Sequence, residues 1–139
     1  MAQRDYTKEA DALFKRFANR HELQYSVTPD APIEVMWEFP EQPKLSLPII
    51  LGLQNLDELN FGVSDFWSYF FPFPDVAEHF ESILDACVKG DARVGKTGTR
   101  SRILQVRNGD LWETVYGAGG CIFLFYQKPR NFISNDTHY

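Results

Sequence analysis

The stretch that decides the fold runs PDVAEHFESILDACVKG (74–90), DARVGKTG (91–98), TRSRILQV (99–106). Its first part carries Val76, Phe80, Ile83, Leu84 and Cys87 at helical spacing, so a helix is expected over about 75–89. Pro74 suits a helix start, Asp75 and Glu78 suit the positive end of its dipole, and Gly90 suits a left-handed stop. Beyond Gly90 the pattern turns β-like. Val94 belongs to one expected strand and residues 102–107 to the next. Asn108-Gly109 signals a tight hairpin that returns through Leu111 to Gly117.

The same stretch contains a literal phosphate-loop pattern. Gly90-Asp91-Ala92-Arg93-Val94-Gly95-Lys96-Thr97 fits G-x-x-x-x-G-K-[ST]. A working phosphate loop needs a strand before it and a helix after it, because helix-terminal N–H groups hold the phosphates. Here a helical pattern precedes the match and a β pattern follows it. No apolar strand ending in a metal-binding Asp lies downstream. The match is therefore read as a helix stop followed by a strand. What survives is charge: Lys89, Arg93, Lys96, Arg100, Arg102 and Arg107 lie in 19 residues opposed only by Asp91. Arg93, Lys96, Arg100 and Arg102 form a candidate patch for a phosphate, a carboxylate or an acidic partner. The plainer alternative is a solvated strand face. On strand parity Arg107 faces away from Arg100 and Arg102 unless a bulge intervenes.

Upstream, Tyr6, Ala10, Leu13, Phe14 and Phe17 mark a first helix over about 5–20. Period-two alternation then predicts strands at 23–27, 33–39 and 59–63. A further strand at 45–53 contains Pro48, which cannot donate to a ladder, so it is expected on an edge, bulged or interrupted. Residues 65–74, DFWSYFFPFP, are expected to form a short helical turn or extended cover that seats aromatics on the core. Trp37, Phe66 and Trp67 are candidates to line an apolar pocket between sheet and helices, or to form an interaction surface. Downstream, Cys121 to Tyr126 reads as a central or doubly covered strand, and the polar tail from about 130 is expected to fray or pack loosely.

These elements make one α+β domain over residues 1–139. It has a mainly antiparallel sheet of seven to eight strands and two main helices, in the order α-β4-α-β3/4. At 139 residues, with 44% apolar and 24% charged side chains, the chain has the composition of a globular protein rather than a disordered one. Its net charge of −5 argues against nucleic acid. The charge is uneven, with balances of +1 over 1–28, −10 over 29–85 and +4 over 86–139. Cys87 and Cys121 read as free thiols, and no long apolar run exists. The expectation is a cytoplasmic protein with no membrane span.

His21, His79 and His138 are scattered, so no metal and no cofactor are expected. No nucleophile motif appears, and the many carboxylate pairs single out no catalytic acid or base. The leading expectation is a non-enzymatic interaction or regulatory module that binds another protein or a second copy of itself. The alternatives are a small ligand-binding protein or enzyme with an apolar pocket, and an anion or nucleotide binder around Lys96.

Overall fold

The structure is a computed structural model that describes residues 4–119 and 128–136. Helix α1 (Thr7–His21) buries Ala10, Leu13, Phe14, Phe17 and Ala18, an i, i+3, i+4, i+7, i+8 stripe. Asp5 opens it by accepting hydrogen bonds from the Thr7 N–H and hydroxyl, and these hold the Asp5 carboxyl below its usual pKa. Its end is a Schellman closure. Glu22 takes the left-handed conformation and donates to the Asn19 carbonyl, while Leu23 donates to the Ala18 carbonyl. That closure shortens the strand expected at 23–27. Leu23 is buried as part of the helix stop, so strand β1 covers only Ser26–Val27.

β1 begins a five-stranded antiparallel meander with β2 (Val35–Phe39), β3 (Ile49–Gln54), β4 (Glu58–Val63) and β5 (Phe66–Trp67), each strand paired to its chain neighbour. Pro48 precedes β3 rather than lying in it. β3 is therefore not an edge strand: it pairs with β2 on one side and β4 on the other. The register stacks Trp37, Leu51 and Phe61 on the core face, flanked by Phe39, Ile49 and Val63. The aromatic stretch continues the meander. Phe66 pairs with Val63, and Phe70 bridges to Leu59. Between them the Ser68 hydroxyl donates to the Phe61 carbonyl, so a side chain takes part where the ladder is irregular.

Helix α2 (Phe73–Lys89) starts two residues earlier than its apolar stripe suggested and buries Phe73, Phe80, Ile83, Leu84 and Cys87. Pro74 lies in its first turn, where no intrahelical N–H is lost. It closes as α1 does: Gly90, at φ 79°, donates to Cys87 and Asp91 donates to Ala86. The helices run alongside each other and are joined by Arg16–Glu81, Arg20–Glu81, Arg20–Asp85 and His21–Asp85 contacts.

The chain then builds β6 (Ala92–Lys96), β7 (Arg102–Asn108), β8 (Leu111–Ala118) and β9 (Arg130–Ser134). Among the described residues these form a second antiparallel sheet in the order β8-β7-β6-β9. The expected single sheet is thus two, of five and four strands. α1 packs on β2 and β3, while α2 packs on β4, β6 and β7 and so spans both sheets. One hydrophobic cluster runs through both sheets and both helices. The β7–β8 loop is Gly109-Asp110, one residue later than expected, because Asn108 still pairs with Leu111. The tail does not fray where it is described: β9 pairs with β6, and Asn135 is buried. The strand expected from Cys121 to Tyr126 lies outside the described residues. No described helix is long and apolar enough to cross a membrane.

Candidate functional site: two cationic sites on opposite faces of the second sheet

Strand parity divides the basic run. Lys96 pairs with Arg102 and Val94 with Leu104, which puts these four on the face that carries the core. Arg93 pairs with Gln105 and Arg107 with Trp112, which puts these on the outer face. Arg100 lies in the exposed β6–β7 loop. The four candidate cations therefore do not form one patch. Lys96 and Arg102 share an inner recess, Arg93 belongs to an outer site, and Arg100 stands apart.

In the inner recess Arg102 is a structural clasp. Its Nη2 meets Asp65 Oδ2 at 2.7 Å and its Nε meets Oδ1 at 3.2 Å. Its Nη1 donates to the carbonyls of Gly98, Thr99 and Ser101. The Arg102 side chain is only 11% exposed, so the clasp ties the β6–β7 loop to the β4–β5 turn from inside. The Arg102 hydrogen bonds hold the Asp65 carboxyl below its usual pKa, with the Arg102 and Lys96 charges contributing. Beside this pair opens a recess of about 380 Å³ walled by Ser64, Asp65, Lys96 and Asn131 over Val94 and Ile133.

On the outer face Arg93 is sandwiched. Its guanidinium carbon lies 4.1 Å from the centre of the Trp112 ring and 3.6 Å from that of Phe132. Its Nε donates to Gln105 Oε1 at 2.9 Å, and Gln105 in turn donates to the Thr114 hydroxyl. Arg107 lies over the Trp112 ring at 4.9 Å and is 3.9 Å from Asp91. Burial lowers the Arg93 pKa, and the charge of Arg107 lowers it further. No carboxylate of the described residues pairs with Arg93. Gly95 makes the sandwich feasible, since a Cβ there would lie 2.7 Å from a Phe132 ring carbon.

Gly95 and Gly90 therefore have structural explanations within the phosphate-loop pattern. Residues 92–96 are extended, with their backbone engaged by β7 and β9, so no phosphate cradle forms. The motif's last residue, Thr97, has a buried hydroxyl with no hydrogen-bond partner among the described residues.

Trp37, Phe66 and Trp67 are not brought together. Trp37 is buried under α1, donates from Nε1 to Asp11 Oδ1 at 3.0 Å and stacks on Tyr25. Phe66 is buried against Phe61 and Tyr116. Trp67 lies on the other face of the first sheet, where Gly62 leaves room for its ring. Phe66 and Trp67 both border a shallow recess of about 550 Å³ with Pro48 and Ile50, and Trp37 has no part in it.

Burial pushes the Cys87 thiol up to about 12, which leaves it without nucleophilic thiolate at neutral pH. Among the described residues no three His, Cys, Asp or Glu side chains gather as a metal site. Asp65, Asn131, Trp112 and Phe132 were not among the sequence candidates. None had a legible signal: counting across the expected Asn108-Gly109 hairpin sets Trp112 beside Gln105, and only the observed Gly109-Asp110 loop sets it beside Arg107. No family model, curated protein or solved structure matches the chain.

Proposed function

We propose that this chain is a non-enzymatic interaction module that docks an acidic segment of a partner protein on the outer face of β6–β9. The observation that carries this is Arg93, a half-buried cation held by two rings and one amide oxygen, with no counter-ion among the described residues. A partly desolvated charge gains most from an opposite charge brought in by a partner, because the desolvation has already occurred. Arg107 adds a second cation, and Trp112 supplies apolar contact. Arginine and tryptophan are the residue types that dominate interface energetics. The net charge of −5 disfavours nucleic acid as the partner. A reducing, cytoplasmic setting accords with Cys87 as a buried free thiol.

The test is a panel of Asp/Glu-rich peptides, each with one Leu or aromatic residue, titrated by fluorescence anisotropy at low and high salt. Binding is expected to weaken with salt. Trp112→Ala should weaken it about thirtyfold, as expected for a hot-spot residue worth about 2 kcal/mol. A panel that shows no binding, or binding indifferent to Trp112→Ala, removes this function. A dimer that Trp112→Ala dissociates would identify the acidic partner as a second copy of the chain.

A further inference from the structure

We infer that the inner recess of about 380 Å³ is a binding site for a small monocarboxylate with a short apolar body. Four observations converge on it. Lys96 extends into the recess and makes no ion pair or hydrogen bond with any described residue, whereas Arg102 is fully engaged by Asp65 and three carbonyls. The Arg102–Asp65 pair is neutral as a unit, so the recess carries one uncompensated positive charge. Ser64 and Asn131 line its rim with a hydroxyl and an amide that bond no other described side chain. Both hold the left-handed backbone conformation without being glycine, at φ 54° and 53°. Strain of this kind is kept where a side chain has to stand in a set place.

The chemistry selects the ligand. One net positive charge matches a monoanion. The Asp65 carboxylate in the wall repels a phosphate dianion more strongly than a carboxylate. Lys96 supplies a charge-assisted hydrogen bond, and Ser64 and Asn131 supply neutral ones to the second oxygen. Val94 and Ile133 form an apolar floor for a few methylene groups. The volume is at the small end of the range for ligand pockets, roughly 300–1,000 Å³. Lys96 and Arg93 point to opposite sides of the sheet, so the two sites use different cations, although Phe132 borders both.

The experiment is a thermal-shift and calorimetric titration of the full chain with acetate, butyrate, hexanoate and benzoate, beside inorganic phosphate and chloride. A saturable rise in melting temperature is expected for the longer monocarboxylates and not for chloride or phosphate. Lys96→Gln should weaken that binding roughly tenfold, the loss of one charge-assisted hydrogen bond. Asn131→Gly keeps the left-handed backbone, removes the amide and should also weaken binding without lowering the melting temperature of the free protein. Trp112→Ala should leave the titration unchanged, which separates this site from the proposed docking face. No saturable response, a response indifferent to both Lys96→Gln and Asn131→Gly, or phosphate binding as tight as any carboxylate would each overturn the assignment.

Discussion

Asn135 and Ser46, 89 residues apart, grip one another. Asn135 Oδ1 accepts from the Ser46 N–H at 2.6 Å and from its hydroxyl at 3.1 Å. The Asn135 amide donates to the carbonyls of Lys44 and Val88, at 2.9 and 2.8 Å. One buried side chain thus joins the approach to β3, the end of α2 and the segment after β9. Asn135→Ala strands several part-buried polar groups, each costing about 1–3 kcal/mol. The expected loss is about 2–4 kcal/mol in urea unfolding. Asn135→Asp should be as damaging despite its equal size, because it turns an amide donor toward two carbonyls into an acceptor. Unfolding of either variant at the wild-type midpoint would contradict the clamp.

Acid should act through the helix pair. Burial alone would raise the Asp85 carboxyl, but hydrogen bonds from His21 and Arg20 outweigh it and hold its pKa below the usual value. A carboxyl lowered in the folded state contributes stability that is present above its unfolded pKa of about 4. That contribution disappears as pH falls through the lower folded value. Asp65, lowered by Arg102, acts in the same direction. Urea midpoints are therefore expected to fall below about pH 4. Asp85→Asn should be less stable at neutral pH and less sensitive to acid. An unchanged acid slope in Asp85→Asn would show that its ion pairs with α1 contribute nothing.

The Arg93 sandwich depends on an absent side chain. In Gly95→Ala the new methyl would sit 2.7 Å from a Phe132 ring carbon, so the ring has to move. The expected cost is about 1–3 kcal/mol. Peptide binding at the outer face should weaken as Arg93 loses one stacking surface. Adding Phe132→Ala to Gly95→Ala should recover part of the stability, giving a non-additive cycle. Additive effects would mean that Gly95 and Phe132 are not coupled.

Cys87 should be chemically silent in the native state. Its pKa of about 12 leaves almost no thiolate at pH 8. In a Cys121→Ser background, reaction with an aromatic disulfide reagent is expected to proceed only at the rate of unfolding and to become immediate in denaturant. Fast labelling of folded protein would refute the buried placement.

The parts legible from residues alone were those whose signal is local. The Phe80-Ile83-Leu84-Cys87 stripe and the Val35-Trp37-Phe39 alternation each name their element and its buried face. Leu23 misled because an apolar residue just past a helix can complete the helix stop instead of opening a strand. β9 was hidden because RNFIS has little burial of its own; its pairing to β6 and the Asn135 contacts hold it, and none of these partners is near in sequence. Whether the nine described strands make one sheet or two is likewise a matter of partners, not of pattern. At the site, Arg93 and Lys96 were grouped by their closeness within one basic run. Once 92–96 is a continuous strand, a spacing of three sends them to opposite sides.

The two sheets differ in how far their pairings reach along the chain. Every pairing in the first joins consecutive strands, so its hairpins close short loops. Among the described residues, the second also needs β9 to return to β6 across more than thirty intervening residues. Loop-closure entropy delays such distant pairings, and topology of this kind slows folding. The meander with α1 should therefore assemble early and present a surface on which α2 seats. The recess and the Arg93 sandwich, both of which use residues 130–134, would arise in the last step. Pulse-labelled hydrogen exchange should find Leu51 and Phe61 protected before Val94; protection in the reverse order would rule this sequence of events out.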